Sequence, residues 1–140
     1  MKVLYTAEAL ATGEGRDGHG RSSDGRLDLD LAIPAEMGGS GNGTNPEQLF
    51  AIGYAACYHS ALRLVGRQDK ADVTDSAVGA RVSLGTQDDG AFRLAVELEV
   101  TLPNLDHDAA QALADKAHLV CPYSNATRGN IDVTITVTDD

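Results

Sequence analysis

Cys57 and Cys121 are the only thiols in the 140 residues. Cys57 lies inside a strongly apolar helical run that opens at Asn45-Pro-Glu-Gln-Leu-Phe50 and continues through Ala61 and Leu62. Cys121 ends a second helical pattern and is followed at once by Pro122. The two stand far apart in the chain, so no local CxxC turn joins them and any pairing must be made by the fold. A buried thiol with one distant thiol partner suggests peroxide chemistry: one sulfur attacks the oxygen, the other resolves the product as a disulfide. The plainer reading is that free cysteine is a common small buried residue. Residue type alone leaves both open.

A thiol reacts as its thiolate, and apolar surroundings raise its pKa. Cys57 sits about three turns into its helix, beyond the reach of the helix N-terminus. Its thiolate therefore needs an outside cation. Arg63 and Arg67 share the helix but not the i+3 or i+4 positions beside Cys57. The better supplier is the loop Thr12-Gly-Glu-Gly-Arg16-Asp-Gly18, where an arginine flanked by glycines can bring its guanidinium to a buried sulfur. Such an arginine would lower the Cys57 pKa; the competing reading of Arg16 is a solvated loop charge. Glu47 is an ordinary first-turn carboxylate favoured by the helix dipole, or the bidentate partner that fixes Arg16. His59 and His118 are candidate bases or packed histidines.

Other chemistries find little support. Cys57 and His59 point to different helix faces, and neither HExxH nor paired CxxC occurs. No Gly-x-Ser-x-Gly elbow is present. Residues 34–44 carry four glycines without a phosphate-loop pattern, and read as a plain, mobile connection.

The elements that must position these residues follow from periodicity. Residues 2–11 read as a first strand, 12–25 as a loop or loose hairpin, and Leu27, Leu29, Leu31 and Ile33 as a half-buried strand. Asn45 caps the first helix, Pro46 fits its first turn, and Gln48 completes a capping-box spacing. Apolar groups lie nearly all round that helix, so it should be buried on most sides, with Gly66 as its stop. Two strands, 78–84 and 92–102, join through Gln87-Asp-Asp-Gly90. Asp106 or Asp108 starts a second helix with Ala109, Leu113, Ala117 and Val120 inward, ending at Cys121. Ile131, Val133, Ile135 and Val137 alternate in a closing strand. Strands interrupted by helices without a βαβ repeat indicate an α+β fold, in a single domain spanning 1–140.

The net charge of −10 argues against nucleic acid or an anionic membrane as partner. The first residues lack the apolar region of a signal peptide, and no apolar run approaches membrane-spanning length. These features point to the cytoplasm, where a permanent structural disulfide is disfavoured.

The segments Thr44–Cys57 and Val120-Cys-Pro-Tyr-Ser-Asn-Ala-Thr-Arg-Gly-Asn-Ile-Asp-Val133 resemble the organic hydroperoxide resistance family, a branch of the OsmC-like superfamily. Thr12–Gly18 and Ser22-Ser-Asp-Gly25 resemble its N-terminal part, with Glu14 where a glycine is frequent and Tyr58 where phenylalanine is common. The resemblance implies curved antiparallel sheets packed on long helices in an intertwined homodimer. It implies a cofactor-free thiol peroxidase acting on organic, including fatty-acid, hydroperoxides in oxidative stress defence. Cys57 matches the peroxidatic cysteine, Cys121 the resolving one, Arg16 the activating arginine and Glu47 the glutamate that holds it. The implied reductant is an external dithiol, a dihydrolipoyl group on a lipoylated protein. Phe50, Ile52, Tyr54 and Ala61 would favour a carbon-tailed substrate. Two other readings stand beside this one: an OsmC-type peroxidase of different substrate range, and a domain that binds apolar ligands without catalysis. Glu47 and Cys57 are separated by about 15 Å along a continuous helix. An Arg16–Glu47 pair serving Cys57 therefore calls for the folded-over N-terminal loop or a second subunit.

Overall fold

The computed structural model describes residues 1–138. The fold is α+β, and the chain divides into two compact units, Met1–Leu49 and the remainder from Phe50.

The first unit is a small antiparallel sheet of β1 (Ala9–Thr12), β2 (His19–Ser22) and β3 (Asp28–Asp30), in that order. Its strands are shorter than the sequence suggests. Residues 2–8 form no regular structure, and only Ala9–Thr12 pairs with β2. The loop read across 12–25 contains β2 as well as a turn. Leu27 is exposed, and Leu31 lies past the end of β3, its N–H donating to Gly18 O at 2.9 Å and its backbone bridging to Thr44. The alternation of leucines there has too little apolar surface to cover it, so pairing ends early. Residues 34–44 are a compact structured turn rather than a loose connection. Ala32 donates to the Thr44 carbonyl at 2.9 Å, Thr44 to that of Asp30 at 3.1 Å, and Gly41 to that of Ile33 at 3.0 Å. Backbone bonding, which sequence pattern does not register, ties this stretch down.

Helix α1 (Pro46–Gln68) begins in the first unit and continues through the second. Asn45 caps it as expected, its Oδ1 accepting the Gln48 N–H at 2.8 Å. Gln48 instead uses its side chain to accept from Thr44 Oγ1 at 2.8 Å. Gly66 does not stop the helix. It is a buried gap for Val73, whose Cγ1 would lie 2.5 Å from a Cβ built there. Within this chain α1 buries one stripe, Tyr54, Tyr58, Ala61, Leu62 and Val65, while Ile52 is 69% exposed. The all-round apolar pattern thus exceeds what a single chain covers.

The second unit pairs β4 (Ala77–Thr86) with β5 (Phe92–Thr101) antiparallel, through the expected Gln87–Gly90 turn closed by Gly90 N–H to Gln87 O at 2.8 Å. Helices α2 (His107–Val120) and α3 (Pro122–Thr127) then carry the chain back to β6 (Asp132–Thr138), which pairs parallel to β5. This sheet is therefore mixed. A helical crossover returns the chain to the starting end, so the next strand runs in the same direction. Asp106 caps α2, accepting the Ala109 N–H at 2.8 Å. The inward stripe of α2 is Ala110, Leu113, Ala114 and Ala117; Ala109 and Val120 face outward. α1, α2, β5 and β6 meet in one core that includes Val96, Leu98, Val100, Val137 and Cys121.

Candidate active site

Cys121 marks a break between two helices. Its backbone is extended (φ −61°, ψ 124°), closing α2 and opening α3, with Pro122 in the first position of α3. Pro122 disfavours helical geometry at the residue before it and suits the first turn after it. The sequence reading anticipated the end of α2 here. The immediate restart as α3 was missed, although proline directly after a helix end is its signal. The elbow points Cys121 inward, fully buried, and its thiol lies 3.6 Å from Cys57 Sγ. Both thiols are free. The two cysteines, distant in sequence, are neighbours in the second unit.

Cys57 is half-buried and packs against the core. Burial pushes its thiol above the ordinary value of 9.0; a hydrogen bond from the Tyr123 backbone N–H opposes this, and the neighbouring Cys121 adds to the rise. The expected depressed thiol is thus not a property of the second unit by itself, because desolvation outweighs the Tyr123 N–H donor. Tyr123 was not singled out from sequence. It follows Pro122, so its N–H is one of the unpaired donors of a first helical turn. Gly53 makes room for its ring on α1: a Cβ there would lie 3.2 Å from the tyrosine oxygen. Phe50, Tyr54 and Tyr123 cluster with centroids 5.7–6.1 Å apart. Of the four apolar residues proposed to face a substrate, Tyr54 and Ala61 are spent on the core and Ile52 is open to solvent.

In the first unit, Arg16 and Glu47 form the bidentate pair that their types allowed. Nη1 donates to Oε2 at 2.8 Å and Nη2 to Oε1 at 2.7 Å. The bonds from Arg16 hold the Glu47 carboxyl below its ordinary value despite partial burial. Arg16 occupies a single 3₁₀ turn, Gly15–Asp17, and Asp17 Oδ1 accepts the Ile33 N–H at 2.9 Å, tying that turn to the chain beyond β3. Arg16 is thus an ordered, paired guanidinium rather than a free loop charge.

Neither candidate histidine base is paired with sulfur. His59 Nε2 meets Ser76 Oγ at 2.9 Å and His118 Nδ1 meets Ser124 Oγ at 2.8 Å. Burial lowers the pKa of each ring. Among the described residues no group of three or more His, Cys, Asp or Glu converges to hold a metal ion, and no helix is long and apolar enough to cross a membrane.

The family model described as OsmC-like protein matches residues 39–136. The organic hydroperoxide resistance protein of Xanthomonas axonopodis pv. citri is 54% identical over 138 residues, covering 97% of this chain and 96% of its own. The crystal structure of an organic hydroperoxide resistance protein from Elizabethkingia anophelis superposes with TM-score 0.94 at 47% identity over 100% of both chains. That of OhrB from Bacillus subtilis gives 0.88 at 46%, over 97% of this chain and 100% of the other. With the cysteine segments, the α+β fold and full-length likeness in agreement, the chain belongs to the organic hydroperoxide resistance branch of the OsmC-like proteins.

Proposed function

We propose that the protein is a thiol peroxidase that reduces organic hydroperoxides, fatty-acid hydroperoxides included, to alcohols. The observation that carries this reading is the Cys57–Cys121 pair, free and 3.6 Å apart, on a chain 54% identical to a protein named for organic hydroperoxide resistance. The half-buried Cys57 thiolate attacks the terminal peroxide oxygen, the O–O bond breaks, and the alkoxide takes a proton to leave as the alcohol. Cys57 then carries a sulfenic acid. Cys121 sulfur attacks it, and the hydroxyl leaves as water with the Cys121 proton. An external dithiol, a dihydrolipoyl group in our reading, reduces the disulfide by exchange and is itself oxidised to a disulfide.

Arg16 is assigned the cation that stabilises the thiolate and the charge on the departing oxygen, with Glu47 holding its fork in place. The need for such a cation is supported by the raised pKa of Cys57 in its own unit. A homodimer is supported by the first unit, in which Ala32 is the one buried residue, and by the uncovered apolar side of α1. A unit with so little core calls for cover from a second copy. The reducing cytoplasm fits two thiols that must start each cycle reduced.

The test is consumption of cumene hydroperoxide with dihydrolipoamide, thioredoxin or glutathione as the electron donor. Turnover is expected, fastest with dihydrolipoamide. No consumption with any of the three would leave a domain that binds apolar ligands with bystander thiols.

A further inference from the structure

A chain of buried hydroxyls runs beside the two sulfurs. Tyr54 lies three residues before Cys57 on α1, and Ser124 lies three after Cys121 on α3. Tyr54 therefore shares a helix face with Cys57, and Ser124 lies in the turn that follows the Cys121 break. Tyr54 Oη and Ser124 Oγ are 2.8 Å apart, and both residues are fully buried. Tyr54 Oη also meets Thr127 Oγ1 at 3.1 Å, and His118 Nδ1 meets Ser124 Oγ at 2.8 Å.

The protons in this chain have one consistent order. Thr127 Oγ1 donates to the Ser124 carbonyl at 3.2 Å, and a carbonyl can only accept. Thr127 must then accept from Tyr54, Tyr54 from Ser124, and Ser124 from His118 Nδ1–H. A neutral His118 protonated on Nδ1 satisfies the whole series, and its burial favours the neutral ring. The chain thus ties the last turn of α2, the short helix α3 and the Cys57 helix together across the Cys121 break.

We propose that Tyr54, through Ser124, is a positioning residue for disulfide closure: their bond is a second rung that holds α1 and the Cys121 elbow at the separation from which the sulfurs join. The inference rests on the resolving-pair reading above. Apolar packing is non-directional, and phenylalanine and alanine would fill this part of the core. Hydroxyls buried here instead demand particular partners at particular angles. The sulfurs must close from 3.6 Å to a bond of about 2.05 Å. Small losses of alignment at such a distance lower the effective concentration of one thiol at the other.

The experiment equilibrates the whole protein with reduced and oxidised dithiothreitol and measures the fraction of Cys57–Cys121 disulfide by mass after acid quench and alkylation. In this exchange the protein dithiol gives two electrons and two protons to oxidised dithiothreitol, which becomes the reduced form. Tyr54→Phe keeps the ring and removes only the rung. It should lower the equilibrium constant for the disulfide by about tenfold, through lost alignment of the thiols rather than through the bond's own energy, which the reduced protein also holds; tenfold is about 30 mV for this couple. Ser124→Ala should do the same, and the double variant should lose little more than either single one. Tyr58→Phe is the structural control. It removes a comparably buried bond, Tyr58 Oη to Ala114 O at 2.6 Å, from the same helix without touching α3. It should stay within about twofold of wild type. Equal disulfide fractions in wild type, Tyr54→Phe and Ser124→Ala would overturn the rung, as would an equal loss in Tyr58→Phe. A wild-type protein that forms no Cys57–Cys121 disulfide in this buffer, nor after one equivalent of cumene hydroperoxide or diamide, removes the resolving pair and the rung together. One that forms it, with the expected variant losses, but consumes no hydroperoxide leaves the rung standing and removes the peroxidase.

Discussion

The two units hold their reactive groups by different forces. From Phe50 onward one thiol sits on a helix and the other at the elbow between two, locked by packing, with Tyr54, Tyr58, Leu62, Val96, Leu98 and Val100 almost wholly buried. Before it, Arg16 is held by directional polar contacts: the fork to Glu47, and the Asp17 bond to the Ile33 backbone. His19 adds a further example, its two ring nitrogens bonded to Asp28 and Asp30. The contrast suits the two tasks proposed for these groups. Sulfurs that must form a covalent bond need fixed spacing, which close packing supplies. A guanidinium that stabilises a transient charge needs aim and a counter-ion, which a salt-bridged turn supplies at little cost in core.

The cysteines give the sharpest way to break this comparison. Cys57→Ser should abolish even the first turnover. Cys121→Ser should consume one equivalent of hydroperoxide and then stall as a sulfenic acid open to further oxidation. Mass spectrometry after a single pulse of peroxide distinguishes them, and a surviving burst in Cys57→Ser would reverse the two roles.

Next in size is the loss of the cation. Arg16→Ala should slow peroxide reduction by roughly 10²–10³-fold, the effect of removing one preorganised donor, and raise the Cys57 pKa. Arg16→Lys should recover only part, since lysine lacks the planar fork that Glu47 grips. Thiolate absorbance against pH reads the second effect. Wild type should titrate below the value that burial alone gives Cys57. If Arg16→Ala titrates like wild type, the sulfur is activated by some other group, with Arg21 and Arg26 the next to test. Mixing Cys57→Ser with Arg16→Ala subunits under exchange sharpens the point: recovered activity means the two residues of one site come from different copies.

The Glu47 pair should matter less to stability than to rate. Arg16 holds the Glu47 carboxyl below 4.5, so the pair's contribution is complete above that pH and is lost as pH falls through the lower, folded value. The Arg16 side chain is about one-third exposed, so screening keeps that contribution within about 1 kcal/mol. Denaturant melts of wild type and Glu47→Gln should differ slightly at pH 7 and converge in acid. A gap that widens in acid would contradict the assignment.

Gly66→Ala probes packing alone. The new methyl meets Val73, and the stability loss should be about 1–3 kcal/mol. The peroxide burst of Cys57 should be unchanged while the protein is folded. An unchanged melting temperature would show that Val73 yields freely.

Legible in the sequence were the start of α1, that of α2 to within Asp106 or Asp108, the β4–β5 turn, the period-two pattern of β6 and the end of α2 at Cys121. Each is written in adjacent residues: Asn45 and Asp106 with their caps, the Gln87–Gly90 turn, the alternation from Ile131, and Pro122. The candidate residues were also legible, two through being the only thiols and all four through likeness to relatives. That the thiols stand 3.6 Å apart, that Tyr123 N–H reaches Cys57, and that Tyr54 and Ala61 belong to the core is visible in the fold alone. So are the tight 34–44 turn, the parallel pairing of β6 and the hydroxyl chain beside the sulfurs. The physical reason is range. Caps, turns and alternation act over a few residues, whereas sulfur spacing, desolvation and strand direction depend on which distant segments the core brings together.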